Sequence, residues 1–166
     1  MGVKWKTVKN EFPKMEQSIK SLSGKKVNVG VLGGEHAWLA GIHEYGCKIP
    51  VTPKMRAWFA YQGFPLKKST TVITIPERSF LRAGFDEHHR DVLKKADMLI
   101  PLLLDGRVSQ QDMFEMVGET LATKIKTYAR SLNNPPNADM TVERKGKSNP
   151  LVDTGTMIES ITYEVK

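Results

Sequence analysis

The sequence predicts an α+β fold: a single domain in which an antiparallel β-sheet is flanked by helices and one hairpin carries a long excursion. Three observations lead there. Two long stretches, 81–103 and 113–132, repeat apolar residues at helical spacing. Short stretches at 25–32, 48–52, 70–75 and 161–165 have β character. A chain of 166 residues suits one domain of the ordinary size, roughly 100–200 residues, with a real core.

The elements follow in order. Val8, Phe12, Met15, Ile19 and Leu22 recur at four, three, four and three, the stripe of an amphipathic helix across 3–22. Pro13 kinks that stripe or marks its true first turn, with Asn10 as the N-cap. Ser23-Gly24 stop it. Val27, Val29 and Val31 then alternate with Asn28 and Gly30, the period of a half-buried strand. Glu35 to Tyr45 reads as a short helix ended by Gly46, with Ala37, Ala40, Ile42, Trp38 and Tyr45 packing inward. The strands at 48–52 and 70–75 pair across Pro53 to Ser69, which is too long and too aromatic for a simple turn. Trp58, Phe59, Tyr61 and Phe64 in this partly helical excursion either cap the core or meet a partner.

The organising stretch is IPERSFLR, Ile75 to Arg82. A β-type run ends at Pro76, whose fixed φ and missing N–H disfavour a central strand and suit the turn before a helix. Arg78 and Arg82 stand four residues apart around Phe80 and Leu81, so the corner offers a cationic edge and an apolar wedge. It is either a buried junction or a face toward another subunit or an acidic partner. Leu81, Phe85, His88 or His89, Val92, Ala96, Leu99 and Leu103 continue at helical spacing, with Pro101 the expected kink or break. Asp105-Gly106 turn the chain, and Ser109–Asp112 has the form of a capping box with Asp in place of Glu. Met113, Val117, Leu121, Ile125, Tyr128 and Leu132 form the stripe of a second long helix, antiparallel to the first. The Pro, Asn, Gly and charge content of 133–149 predicts an exposed loop. Asp153-Thr154 read as an Asx-type turn or N-cap before one helical turn and the last strand.

Composition bounds the chemistry. The 25 basic and 18 acidic residues give a net charge of +7, spread along the chain, which favours anionic surroundings without specifying nucleic-acid recognition. Cys47 is the single cysteine, so an intramolecular disulfide and a Cys-based zinc set are excluded and a reducing cytosol fits. No apolar signal region or membrane span is expected. His36, His43, His88 and His89 with Glu35, Glu44, Asp86 and Glu87 invite a metal site, but His43-Glu44 lacks a second His four residues on, and adjacent His88-His89 point to different helix faces. Cys47 near His43 has no nameable orienting group for nucleophilic catalysis, and Gly30, Gly33 and Gly34 form no phosphate-loop pattern. No catalytic residue, cofactor or metal is expected. A helix-turn-helix or zinc pattern for reading DNA is also missing, which leaves non-specific phosphate contact.

Three pieces together resemble the virion morphogenesis proteins of tailed bacteriophages, the tail-completion or head–tail joining group. They are IHEYGCKIPVTPKMRAWFA from Ile42, ITIPERSFLRAGFDEH from Ile73, and NPLVDTGTMIESITYEV from Asn149. The resemblance implies a non-enzymatic ring, a hexamer, at the neck or head-proximal tail end of the virion, assembled in the host bacterial cytoplasm. Its implied partners are a head-completion or connector protein and a tail terminator or tail tube protein, with DNA passing through the lumen in non-specific contact and no membrane involved. Tail terminator, minor capsid protein and non-specific DNA-binding protein are the alternatives. Carried onto this chain, His43, Glu44, Tyr45 and Gly46, the corner Pro76, Arg78, Phe80, Leu81 and Arg82, and the turn Asp153, Thr154 and Gly155 are implied to fix local geometry or the subunit contact. Trp58, Phe59, Tyr61 and Phe64 are candidate partner contacts. The excursion is longer than a minimal family member requires.

Overall fold

The computed structural model describes residues 10–166. Its frame is an antiparallel pair of long helices, each ended by its own local chemistry. Helix α4 (Phe80–Leu104) turns back through Asp105-Gly106 into α5 (Gln110–Ser131). At the start of α5, Ser109 Oγ accepts the Asp112 N–H at 3.1 Å while the Asp112 carboxylate accepts the Ser109 N–H at 3.4 Å, the reciprocal box expected from sequence.

The remaining elements in chain order are α1 (Phe12–Leu22), β1 (Val27–Gly30), α2 (Glu35–Tyr45), β2 (Cys47–Pro50), α3 (Pro53–Tyr61), β3 (Val72–Ile75), α6 (Asp139–Lys145), α7 (Thr156–Glu159) and β4 (Thr162–Val165). The fold is α+β, with seven helices among the described residues. Instead of one sheet there are two antiparallel ribbons, a correction to the expectation. In one, β1 pairs with β4, from Val27 opposite Val165 to Gly30 opposite Thr162. In the other, β2 pairs with β3, from Cys47 opposite Ile75 to Pro50 opposite Val72. Pro50 has no N–H to donate to a further strand, and among the described residues each ribbon has two open edges.

The main core lies where α4 and α5 meet the C-terminal segment. Phe80, Val92, Leu121, Ile125, Ala129, Leu151, Met157, Ile158 and Ile161 are buried together, with Val29 and Tyr163 packed against them from the β1–β4 ribbon. Gly118 permits that approach: a Cβ there would lie 2.6 Å from the Tyr163 ring and 2.9 Å from Val27. A smaller cluster of Leu99, Leu103 and Met113 closes the far end of the helix pair, with Leu22 of α1 against it.

Several other expectations are corrected. Among the described residues the stripe assigned to α1 is only half covered: Phe12 and Ile19 are exposed, whereas Met15 and Leu22 are half-buried. Its first turn starts at Phe12, whose N–H is accepted by Asn10 Oδ1 at 3.1 Å; the part of the predicted helix at 3–9 lies outside the described residues. Pro101 does not break α4: it forgoes the one hydrogen bond its own N–H would make to the Asp97 carbonyl, and the helix ends three residues later at Leu104. Phe85 is exposed rather than inward-facing. Gly155, at φ +91°, is the N-cap of α7, with no side-chain hydrogen bond into the cap. Residues 133–149 are not an open loop: α6 lies within them, ended by Gly146 at φ +64°. Among the described residues no helix is long and apolar enough to cross a membrane.

Candidate functional site

The corner singled out in the sequence is where two elements distant in the chain are locked to each other. Backbone N–H groups in the first turn of any helix have no partner within the helix, and Ser79, the N-cap of α4, supplies no side-chain acceptor. Glu44, in the last turn of α2, supplies it instead. Its Oε2 accepts the Leu81 N–H at 2.8 Å and its Oε1 accepts the Arg82 N–H at 3.0 Å. A carboxylate at a helix N-terminus also meets the positive end of the helix dipole. Glu44 is only 3% exposed, so this carboxylate is spent within the fold.

Arg82 completes the lock from outside. Its Nε donates to Glu44 Oε1 at 2.9 Å, and one terminal nitrogen donates to the Glu44 carbonyl at 3.0 Å and to Glu77 Oε1 at 2.7 Å. The guanidinium carbon lies 4.8 Å from the centre of the Tyr45 ring. The hydrogen bond to Glu44 chiefly holds the Arg82 pKa above the ordinary guanidinium value; desolvation opposes it, and the hydrogen bond to Glu77 and the charges of the two carboxylates add smaller raising effects. Tyr45 is 68% exposed and Trp38, seven residues earlier on α2, is 73% exposed, correcting the expectation that they pack inward. The corner therefore presents Arg82 over the Tyr45 ring on its outer face.

Gly46 lets the chain leave α2 directly into β2. It sits at φ +71°, and a Cβ there would come within 2.9 Å of both Glu77 N and Ile75 O. Neither neighbour is a movable side chain. Close by, the Arg78 N–H donates to the His43 carbonyl at 2.7 Å, tying the end of β3 to α2 a second time.

The Arg78 side chain points the other way, into the protein. It is 4% exposed; Nε donates to the Pro135 carbonyl at 2.7 Å, and Nη2 to the Pro136 carbonyl at 2.8 Å and Asn137 Oδ1 at 3.3 Å. These bonds tie 135–137 to the corner: consecutive prolines offer carbonyls without competing N–H groups, and a buried guanidinium requires acceptors. Sequence reasoning missed Pro135, Pro136, Asn137 and Lys145 as parts of this region. The available signal was an arginine in an otherwise apolar corner, with a proline pair elsewhere able to satisfy it.

Electrostatically, this inner side is positive. Burial, then the charges of Arg78 and Lys145, lower the His43 pKa from its usual value to about 4, so the ring is neutral at pH 7. Burial also lowers the pKa of Lys145, a shift opposed by Asp153 and reinforced by Arg78. A cleft on this side is lined by His43, Lys145, Asp153, Thr154 and Gly155. Thr154 Oγ1 lies 2.8 Å from Thr156 Oγ1 and accepts the Thr156 N–H at 3.4 Å, shaping the turn into α7.

The excursion is an ordered unit. Thr52 Oγ1 accepts the Met55 N–H at 3.2 Å to cap α3, and Pro53 occupies its first turn. Arg56 staples the return strand by donating to the carbonyls of Lys67, Lys68 and Thr70. Trp58 and Phe59 meet edge to face, their centroids 5.0 Å apart. Phe59 and Phe64 are partly buried, whereas Tyr61 is 86% exposed and Trp58 half-exposed. The aromatic set thus divides between half-buried and exposed positions.

The histidines do not converge. His89 faces the Asp86 carbonyl at 2.9 Å, His88 lies beside Glu87 at 3.8 Å on the same helix, and His43 is enclosed by Arg78 and α6. Among the described residues, no group of three or more His, Cys, Asp or Glu side chains is arranged to hold a metal ion. Cys47 is a partly buried strand residue. No family model, curated protein or solved structure matches this chain.

Proposed function

We propose that this chain is a structural, non-enzymatic protein of a tailed-bacteriophage virion, a head–tail joining or tail-completion component that assembles as a ring around the DNA path. The observation that carries the reading is the meeting of the three sequence pieces behind the phage resemblance. The His43–Gly46 segment ends against Pro76–Arg82 through the Glu44–Arg82 lock and the Arg78–His43 hydrogen bond, and Asp153–Gly155 line the cleft that His43 enters. Motifs scattered over more than a hundred residues thereby serve one local construction.

The single chain also leaves much apolar surface uncovered. Among the described residues, Trp38, Tyr45, Trp58, Tyr61, Phe85 and Leu93 are exposed, and both ribbons have open edges. Such surface is stabilised by burial against neighbours, and a head-to-tail contact that closes by rotation buries it in every copy. The positive balance suits a lumen that tolerates diffuse attraction to phosphate.

The deciding experiment is electron microscopy of lysates from a phage carrying an early stop codon in this gene, with native mass spectrometry of the purified protein. DNA-filled heads beside separate tails, and a closed oligomer in solution or in the particle, are the expected results. Overlong or ragged tails would move the role to tail termination within the same class. Intact infectious particles would overturn the structural reading, and a steep salt dependence of binding to unrelated duplex would then favour a DNA-binding protein.

A further inference from the structure

Arg78 presents an imbalance that the fold itself does not resolve. A buried guanidinium is ordinarily matched by a carboxylate, because its charge has lost water. All three of its side-chain hydrogen bonds are to neutral acceptors, and among the described residues Arg78 has no ion pair and its Nη1 no acceptor. Asn137 Nδ2, on the amide whose oxygen faces Arg78, is a buried donor without an acceptor.

Both residues line a cavity of about 390 Å³ between the excursion, β3 and α6. Phe59, Leu66, Ile73 and Met140 make its walls predominantly apolar, and its polar lining includes the neighbouring Arg78, His43 and Asn137 as well as Thr74 and Thr141. We propose that this cavity binds an apolar carboxylate, with the carboxylate accepting from Arg78 and Asn137 and the hydrocarbon lying against Phe59, Leu66, Ile73 and Met140. Apolar walls with a few convergent polar groups are the general form of a small-ligand site. Two unfilled donors and one fixed charge match a monoanion. A phosphate dianion would set a second charge against hydrocarbon, and His43, neutral at pH 7, adds no compensating cation. This proposal does not depend on ring assembly.

The test is titration of the full-length protein, followed by two-dimensional ¹⁵N NMR, with sodium octanoate and, separately, with octanol. Acetyl-Leu-Leu and its C-terminal amide form a second pair, so a free acid and a chain terminus are distinguished. We expect saturable shifts confined to residues 59, 66, 73, 78 and 137–141, with at least one acid binding tenfold or more tighter than its neutral counterpart. Preference for octanoate identifies a free acid, and preference for the dipeptide a chain terminus. Met140→Trp, which fills the cavity and keeps Arg78, should abolish the shifts while the remaining spectrum stays native. Arg78→Met should equalise acid and neutral probe if it folds. Absence of saturable shifts in the native protein, equal affinity for acid and neutral probes, or undiminished binding by a folded Met140→Trp variant would overturn the proposal.

Discussion

Glu44 and Arg82 make two hydrogen bonds through one oxygen: Oε1 of Glu44 accepts both the backbone N–H of Arg82, at 3.0 Å, and its side-chain Nε, at 2.9 Å. One carboxylate therefore caps α4 and orients the arginine that covers the cap. Because Glu44 is buried and Arg82 half-exposed, the two partners should not be equivalent on mutation. Glu44→Ala leaves the Leu81 and Arg82 N–H groups without acceptors and should destabilise by about 2–3 kcal/mol. Arg82→Ala, whose guanidinium is half-exposed and partly solvated, should cost clearly less than Glu44→Ala. Urea midpoints at constant slope measure both; equal losses would contradict the assignment.

Gly46 should be the least replaceable of the loop glycines. Gly46→Ala imposes a left-handed φ, which costs about 1–2 kcal/mol for an L-residue, and drives the new Cβ against backbone on two sides. Gly63→Ala, at φ +83° with open space around it, carries the conformational cost alone. Denaturation of both variants should rank Gly46→Ala clearly worse.

Gly118 tests the packing of α5 on the β1–β4 ribbon. Alanine improves helix propensity by about 1 kcal/mol, yet its Cβ would overlap Tyr163 and Val27. Overpacking of this kind costs about 1–3 kcal/mol, so Gly118→Ala should destabilise on balance, and by less in a Tyr163→Ala background than in the native one. A stabilised Gly118→Ala single variant would show that the ribbon shifts freely.

His43 should make stability fall on acidification. Its folded-state pKa, about 4, lies below the unfolded value of 6.5, so the unfolded chain binds the extra proton between these limits. The contribution is fully present above about pH 6.5 and is lost as pH falls toward about 4, with an upper bound of about 3 kcal/mol. Replacing His43 with Gln should flatten the stability–pH curve between pH 7 and 5. Direct NMR titration of the ring should place its midpoint well below the ordinary histidine range.

Pro101 should be dispensable to α4. It forgoes only the hydrogen bond of its own N–H to the Asp97 carbonyl, and its ring is solvent-exposed. Pro101→Ala should stabilise, by less than the roughly 3 kcal/mol that a proline costs in a helix interior, read as a rise in thermal midpoint.

The sequence by itself determined the elements whose causes are local. Apolar spacing in 81–103 and 113–132 sufficed for α4 and α5, Ser109 and Asp112 for the cap between them, Gly46 for the end of α2, and the β character of 48–52 and 70–75 for a paired ribbon around an excursion. It also singled out Glu44, Arg78 and Arg82 without revealing what each contacts. Tertiary structure alone decided that Glu44 caps a helix thirty-six residues away, that Arg78 turns inward to bond with Pro135–Asn137, and that the strands form two ribbons. The physical reason is range. Periodicity and capping act within a few residues, whereas the partner of a buried charge, and the side of a helix that finds a neighbour, depend on which distant segment arrives beside it. Phe12 and Ile19 carry the same apolar pattern as the residues of α5, yet they stay exposed because, within the described chain, nothing comes to cover them.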